Sequence, residues 1–525
     1  MKRNLESYQS DDSGLIQGTS TFSSSFFYTL KLFLLALNQS VKKFLQGPTP
    51  SAGAKSDSFR DFQRKRPLYN GRYNPDSSTE TIAPPIEIFH PVFSHFLDDV
   101  SNSDLDVPQS VLDATRDLMK KSAGIYSSER TRRTALNKAF CDAISFGCSQ
   151  IVNLDLTSPD DVALLNIGPP INESAALLVK EDKKLMGEGC DPTLQVAMSA
   201  GRFWSQPNVC TCRITSSLVT AHLIFCVQHK FIREHTCCPT LLVAFGGPWL
   251  VVMGSIFTDK LICQNLTDMI WLGFDRALLY EDRLRSAARV LYALARGLIK
   301  LQEYYTSLTT TQLDPLSGFF PSATSYYDKV QQAQVRFQYV RFLQELSSTC
   351  VTLLARTADQ KDIVVKFVER YGEDAHVFLA GRRYAPALLY LGPIGPGPTY
   401  GRLSMVVMEY VVGETLNCLK PGASGTNLGG PVHNLFRSLR VVVEILHEEG
   451  FVFGDLRPPN IMVTPLNAIK LIDFDWAGKV GVVKYPLLMS SGIAWPSGAT
   501  GGALITKQHD RDMIQAIEDD FLNML

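Results

Sequence analysis

The stretch Phe453-Gly454-Asp455-Leu456-Arg457-Pro458-Pro459-Asn460, with Asp473-Phe474-Asp475 beginning thirteen residues after Asn460, constrains this chain more than any other. Moving a γ-phosphoryl group needs one carboxylate to orient the acceptor hydroxyl. It also needs an amide oxygen and a second carboxylate to hold magnesium against the phosphates. Asp455, Asn460 and Asp473 fit those three jobs, and Arg457 sets a fixed positive charge between them.

The flanking sequence is consistent with such a loop. Leu435, Phe436, Leu439, Val442, Val443 and Leu446 recur at helical spacing and run into Gly450, a natural helix stop. Ile461-Met462-Val463 and Ile469-Lys470-Leu471-Ile472 read as two short strands around a turn, which puts Asp473 at a strand end facing the same cleft as Asp455. This arrangement resembles the protein-kinase-like superfamily, with its H-R-D-L-x-x-x-N loop and D-F-G element. The span Gly454 to Val463, the run Leu471-Ile472-Asp473-Phe474-Asp475-Trp476-Ala477-Gly478 and the later Tyr485-Pro486 resemble the fungal-type protein-kinase-like family over about residues 335–520.

The resemblance implies ATP and Mg2+ as cofactors and a hydroxyl-bearing acceptor. It assigns Val406-Val407-Met408-Glu409-Tyr410-Val411-Val412-Gly413 to the segment that joins two lobes, where Met408, Glu409 and Tyr410 would receive adenine. Ile363-Val364-Val365-Lys366-Phe367 looks like the V-A-I-K strand, so Lys366 would grip the α and β phosphates. Glu373, opening a helix through Ala375 to Ala380, is the expected acidic partner of Lys366, with Glu369 second.

The departures bear on function. No G-x-G-x-x-G precedes Lys366; the strands Phe337 to Leu346 and Cys350 to Ala358 are joined by Ser347-Ser348-Thr349. Phe453 stands where the superfamily has histidine, and Arg457 where protein kinases have lysine. Asp475 replaces the glycine of D-F-G, as in kinases of small molecules such as the aminoglycoside and choline kinases. Only 52 residues follow Asp473, with no A-P-E motif, so the C-lobe is read as abbreviated. The expected activity is an ATP- and Mg-dependent phosphotransferase acting on a Ser/Thr protein or a small molecule. A pseudokinase that binds or scaffolds is the alternative, and a metal-dependent nuclease with a regulatory kinase-like half is a third reading.

That third reading rests on residues 85–275. Ala175 to Val179 reads as a buried strand running into Lys180-Glu181-Asp182-Lys183-Lys184, then a glycine-containing loop and a helix from Asp191 to Trp204 carrying Gln195. Three strands follow, Leu241 to Phe245, Trp249 to Phe257 and Leu261 to Leu266. Strand, E-x-K, helix, strand resembles the PD-(D/E)xK nuclease core, whose chemistry uses two acids on a divalent metal and a lysine on the attacking water. Asp160, Glu181 and Lys183 are the candidates. The ordinary alternative is a solvated turn. The charge balance, 51 basic against 52 acidic residues, gives no broad nucleic-acid footprint.

The fold class expected is therefore α+β: a two-lobed protein-kinase-like domain with an abbreviated C-lobe (335–525), preceded by a separate mixed α/β domain (85–275), for which a restriction-endonuclease-like fold is one reading. A linking helix and boundary loop (276–334) would join them, the helix marked by Leu284, Val290, Leu291, Leu294, Leu298 and Leu301. Residues 1–84, rich in serine, proline, glycine and charge, read as mostly disordered. Within them, Phe26 to Leu37 is too short to span a bilayer, and an amphipathic surface helix reaching Phe44-Leu45 is the alternative. Without a secretory signal the eleven cysteines read as reduced thiols of an intracellular protein, cytoplasmic or nuclear, and the N-x-S/T sites at Asn38, Asn172 and Asn265 as chance matches. Arg64-Lys65-Arg66 and Arg130 with Arg132-Arg133 read as solvated surface or as a nuclear-import signal. The cysteines and histidines between Cys210 and Cys238 match no zinc spacing; residues 209–229 read as an insertion between Trp204 and Arg233.

Overall fold

A computed structural model describes residues 24–76, 81–153, 155–187, 189–206, 210–216, 219–225, 229–273, 280–310, 317–343, 351–419 and 432–524. The chain begins its described course with three helices, α1 (Ser24–Gln46), α2 (Pro50–Gly53) and α3 (Ser56–Gln63), and a short strand, β1 (Leu68–Tyr69). These correct the expectation of disorder for residues 24–76; residues 1–23 lie outside the described residues. Leu37, Val41 and Phe44 fall on one stripe of α1 and are buried. Phe44 meets the rings of Phe62 and Phe257 edge-on, with centroids 5.9 Å away in each case. That stripe of α1 therefore packs on protein. Among the described residues no helix is long and apolar enough to cross a bilayer.

Helices α4 (Pro91–Ser101), α5 (Gln109–Ser122) and α6 (Glu129–Ile144) come next, then strands β2 (Ile151–Asn153), β3 (Asp161–Ile167) and β4 (Glu173–Lys183), helix α7 (Pro192–Ser205), a hairpin of β5 (Cys210–Ser216) and β6 (Val219–Phe225), the short α8 (Lys230–His235), and β7 (Thr240–Gly246), β8 (Trp249–Phe257), β9 (Leu261–Asn265) and β10 (Ile270–Trp271). Seven of these strands form one sheet in the order β1-β9-β8-β7-β4-β3, with β10 on β8. Strands β4 and β7 pair in parallel, joined by a crossover that carries α7; their neighbours pair antiparallel except β1, which lies parallel to β9. The β5–β6 hairpin sits between α7 and α8, and Arg233 Nη1 donates to the Trp204 carbonyl at 2.6 Å, so the two ends flanking it are neighbours in space.

Helix α9 (Tyr280–Thr306) does not act as a free link. Its stripe of Leu284, Ala287, Leu291, Leu294, Leu298 and Leu301 is buried against α4, α5, α6 and the sheet, and Gly297 gives the close approach to Leu241. The long amphipathic pattern was legible, but what it covers is the seven-stranded sheet.

Next follow β11 (Ser325–Asp328), β12 (Ala333–Phe342), β13 (Val351–Thr357), β14 (Asp362–Val368), helix α10 (Glu373–Gly381), β15 (Leu388–Gly392) and β16 (Ser404–Glu409), a six-stranded antiparallel sheet ordered β11-β12-β13-β14-β16-β15. The loop between β12 and β13, where Ser347-Ser348-Thr349 was read as the stand-in for a glycine loop, lies outside the described residues. The expected separateness of the two regions does not hold at their cores. Ile363, Val365, Phe367, Met405 and Val407, one face of this sheet, belong to the same buried cluster as the seven-stranded sheet. Phe33 of α1 stacks on Phe319 at 5.0 Å and meets Phe342 edge-on, and Thr399 N donates to Asp98 at 2.8 Å.

The chain ends in β17 (Glu414–Thr415), α11 (Val432–Glu448), β18 (Phe451–Val452), β19 (Ile461–Val463), β20 (Ile469–Leu471), β21 (Gly478–Lys479) and α12 (Lys507–Asn523). A second core lies here, built from Phe436, Leu439, Val443 and Leu446 of α11, Phe453, Leu471, Phe474, and Ile514 and Phe521 of α12.

Candidate active site

Strand alternation sets the roof of the cleft. On β14, Val364, Lys366 and Val368 point away from the core shared with the N-terminal sheet, and the register of β14 on β16 puts Met408 opposite Val364 and Val406 opposite Lys366 on that same face. Met408 is buried there beside Val406 and Val368. Glu409 is exposed; its backbone N donates to Ala387 O at 2.9 Å, and Tyr410 N donates to Asp362 O at 3.3 Å.

The floor is the loop from Phe453 to Asn460. Gly454 has φ +82°, and a Cβ there would run into Ile505, so glycine is needed at the turn. Asp455 is buried. Arg457 donates to both of its carboxylate oxygens, from Nε to Oδ1 and from Nη2 to Oδ2 at 2.6 Å, and Asn460 Nδ2 donates to Oδ2 at 2.9 Å. Burial raises the Asp455 carboxyl above its usual range, with Arg457 opposing. Ile472 N donates to Asn460 O at 3.0 Å, which ties this loop to the strand end that carries Asp473.

Lys366 Nζ bridges the two halves, 2.6 Å from Asp473 Oδ1 and 2.7 Å from Asp475 Oδ2. Burial pushes Asp473 up, but Lys366 outweighs it and the carboxyl sits below its ordinary value. Asp475, half-buried, is pushed up to about 7 by desolvation and then by the Asp473 charge. The expected partner Glu373 is not at this lysine: it is exposed in the first turn of α10, and Glu369 is exposed as well. The cause is local. Gly372 N donates to Phe474 O at 2.9 Å and His376 stacks on the Phe474 ring at 4.4 Å, which fixes α10 by its buried side and leaves Glu373 outward. Phe453, standing where histidine was expected, meets Phe474 edge-on at 5.2 Å and supplies packing in its place.

Asp510 was missed by sequence reasoning. It lies in the first turn of α12, fully buried, and accepts from Phe453 N at 2.9 Å and Gly454 N at 2.8 Å, while His447 Nε2 stands 2.9 Å from it. It holds the backbone that presents Asp455. An acid opening an amphipathic helix reads as a solvated first-turn charge, and only its burial marks it otherwise.

No family model matches the chain. It is similar to the serine/threonine-protein kinase PknA of Mycobacterium tuberculosis (strain ATCC 25618 / H37Rv), 35% identical over 80 residues, which is 15% of this chain and 18% of that protein. It is also similar to PknB of Mycolicibacterium smegmatis (strain ATCC 700084 / mc(2)155), 28% identical over 130 residues, 22% of this chain and 20% of that protein. The chain thus spans about a fifth of the length of the relatives it matches. At this coarse level the matched segments are similar to serine/threonine-protein kinases.

The N-terminal candidates Asp160, Glu181 and Lys183 also come together, near the end of β4, which lies between β7 and β3. The expected turn is strand: β4 continues through Lys183, and Lys180, Glu181, Asp182 and Lys183 are all buried. Alternation sends Lys180 and Asp182 to one face, where Lys180 bonds Asp161 at 2.7 Å and Asp182 at 2.5 Å. It sends Glu181 to the other, where Gln195 and Ser199 of α7 donate to its two oxygens at 2.7 and 2.6 Å. Asp160 accepts from Arg133 at 2.7 Å and from Asp182 N at 2.8 Å, and Lys183 reaches Glu129 at 3.1 Å. Arg132, read as solvated, is buried and donates to Ser122 O at 3.2 Å and to Gly247 O. Among the described residues no group of three or more His, Cys, Asp or Glu is placed to hold a metal ion.

Burial, and then the neighbouring Asp160, hold the Glu181 carboxyl well above its usual 4.5. A proton kept in the fold beyond the pH at which the unfolded chain releases it adds stability that is full below the unfolded value and is lost as pH rises toward the folded one. Glu181→Gln has no proton to lose. Thermal midpoints should match the wild type below about pH 4, and the variant should gain up to about 1.4 kcal/mol per pH unit as the pH is raised above the unfolded value.

Proposed function

We propose that the chain is an ATP- and magnesium-dependent phosphotransferase using Asp455 to orient the acceptor hydroxyl. The observation that carries this is the meeting of Lys366 and Asp473 at 2.6 Å across the cleft, above a loop in which Asn460 holds Asp455 at 2.9 Å. Three separate elements, β14, the loop 453–460 and the segment after β20, supply Lys366, then Asp455, Arg457 and Asn460, then Asp473.

The residues fit magnesium. Asp473 offers a carboxylate and Asn460 an amide oxygen, on segments tied by Ile472 N donating to Asn460 O at 3.0 Å, and such oxygen donors suit a hard divalent cation. Asn460 and Asp473 would hold the ion. Bound there, it would neutralise charge on the phosphate oxygens. Lys366 would hold the α and β phosphates, Met408, Glu409 and Tyr410 would border adenine, and Arg457 would turn its guanidinium from Asp455 toward the transferring phosphoryl. The acceptor is a hydroxyl on a protein side chain or a small molecule, in an intracellular setting.

A thermal shift with ATP and magnesium tests the site. Ligand at 100 times its dissociation constant stabilises the native state by about 2.7 kcal/mol, a rise of several degrees. Lys366→Ala and Asp473→Ala should each remove that rise. A rise that survives both variants would place the nucleotide elsewhere.

A binding or scaffold role is the second reading. It draws on Arg457, which engages both carboxylate oxygens of Asp455. It is the better account if nucleotide binds and no acceptor is phosphorylated. For Asp160, Glu181 and Lys183 we propose a structural role rather than nuclease chemistry: all four carboxylate oxygens of Asp160 and Glu181 are engaged by protein donors.

A further inference from the structure

Resting on the phosphotransferase reading, we infer that Asp475 is the positioning residue for the phosphate-binding lysine, doing for Lys366 what Glu373 was expected to do from α10.

Lys366 is almost wholly buried, its side chain 3% exposed, and a buried ammonium needs fixed acceptors. Among the described residues, two carboxylates stand beside it, Asp473 at 2.6 Å and Asp475 at 2.7 Å. Asp473 has a second duty at the metal, and a carboxylate drawn toward a cation cannot alone fix where the lysine points. Asp475 can, because its own position is set by its neighbours in sequence. Phe474 is clamped between the rings of His376 and Phe453, and Ala477 N donates to Phe474 O at 3.2 Å, closing a tight turn around Asp475. Trp476 on the other side packs on Tyr485 and Trp495. A glycine at position 475 would leave this role to an acid on a helix. Here the nearest helix is the nine-residue α10, which is locked by Gly372 and His376 with Glu373 facing solvent. The departure from D-F-G and the displaced Glu373 are thus two sides of one arrangement.

The test uses the full chain and two cycles of variants. In phosphotransfer, Asp475→Asn should lower kcat by tenfold or more and Glu373→Gln should stay within twofold of wild type. The double variant Lys366→Ala with Asp475→Asn should be no slower than Lys366→Ala alone, because a residue that acts through Lys366 has nothing left to do once it is gone. Multiplying losses would mean that Asp475 acts independently, as a metal ligand does, and would overturn the inference, as would a large loss in Glu373→Gln. The second cycle needs no turnover: thermal unfolding of the nucleotide-free protein with Lys366→Met, Asp475→Asn and both. A coupling between the two positions, absent between Lys366 and Glu373, supports the pairing, and additive losses refute it. Should the wild type prove inactive, the phosphotransferase reading falls while this second cycle still decides which acid holds the lysine.

Discussion

Asp455→Asn is expected to reduce phosphotransfer by roughly 10²–10⁴-fold while ATP still binds, the range that loss of a positioned general base produces. The substitution is nearly isosteric. The asparagine oxygen can still accept from Asn460 Nδ2, and the backbone link from Asn460 Nδ2 to Asp455 O at 3.0 Å is untouched, so the loop should keep its course. What disappears is the charge that draws a proton from an acceptor hydroxyl and that balances Arg457. The measurement is initial rate against a panel of hydroxyl acceptors, with the ATP-induced thermal shift as control. Activity that survives would remove Asp455 from the mechanism; a lost thermal shift would mean that the loop had moved.

Asp510→Ala should have the largest effect on stability. Two backbone N–H groups, of Phe453 and Gly454, and the His447 ring all lose their buried partner. Each unsatisfied buried donor costs roughly 1–3 kcal/mol, so a loss on the order of 4 kcal/mol is expected. In a region of this size that is a fall of roughly 10 °C in thermal midpoint. Activity should fall even below the unfolding range, because Asp510 fixes the turn that presents Asp455. Asp510→Asn keeps one acceptor and should lie between. A midpoint within a degree of wild type for the alanine variant would show that Asp510 does not hold this loop.

The grouping of the candidate residues was legible because most of them lie in one short stretch. Asp455, Arg457, Asn460 and Asp473 lie within nineteen positions, and their types and spacing answer to the needs of phosphoryl transfer. Lys366 could be placed from its apolar strand, and strand alternation does set it on the cleft face. Glu373 could not. Its assignment depended on which side of α10 would turn inward, and that was decided by Gly372 and His376 packing on Phe474. Asp510 was silent for a similar reason, being 55 positions beyond Asp455 and unlike a buried acceptor in its own neighbourhood.

The N-terminal half repeats the lesson with burial. Apolar periodicity identified α9 and the run of strands β7 to β9, because covering a sheet requires that pattern whatever the partner. The residues before position 84 looked too polar to build a core, and those described do not build one. They place Leu37, Val41, Phe44, Phe59 and Phe62 on a core made by the rest of the chain. The sequence by itself determined which residue types gather at the candidate site and the elements that carry them, since both depend on residues close together along the chain. Tertiary structure alone decided which charges meet: that Lys366 pairs with Asp475, and that Lys180, Glu181 and Asp182 are interior. Pairing and desolvation depend on what arrives from distant positions, and a carboxylate at a strand end looks the same in sequence whether water or a lysine lies across from it.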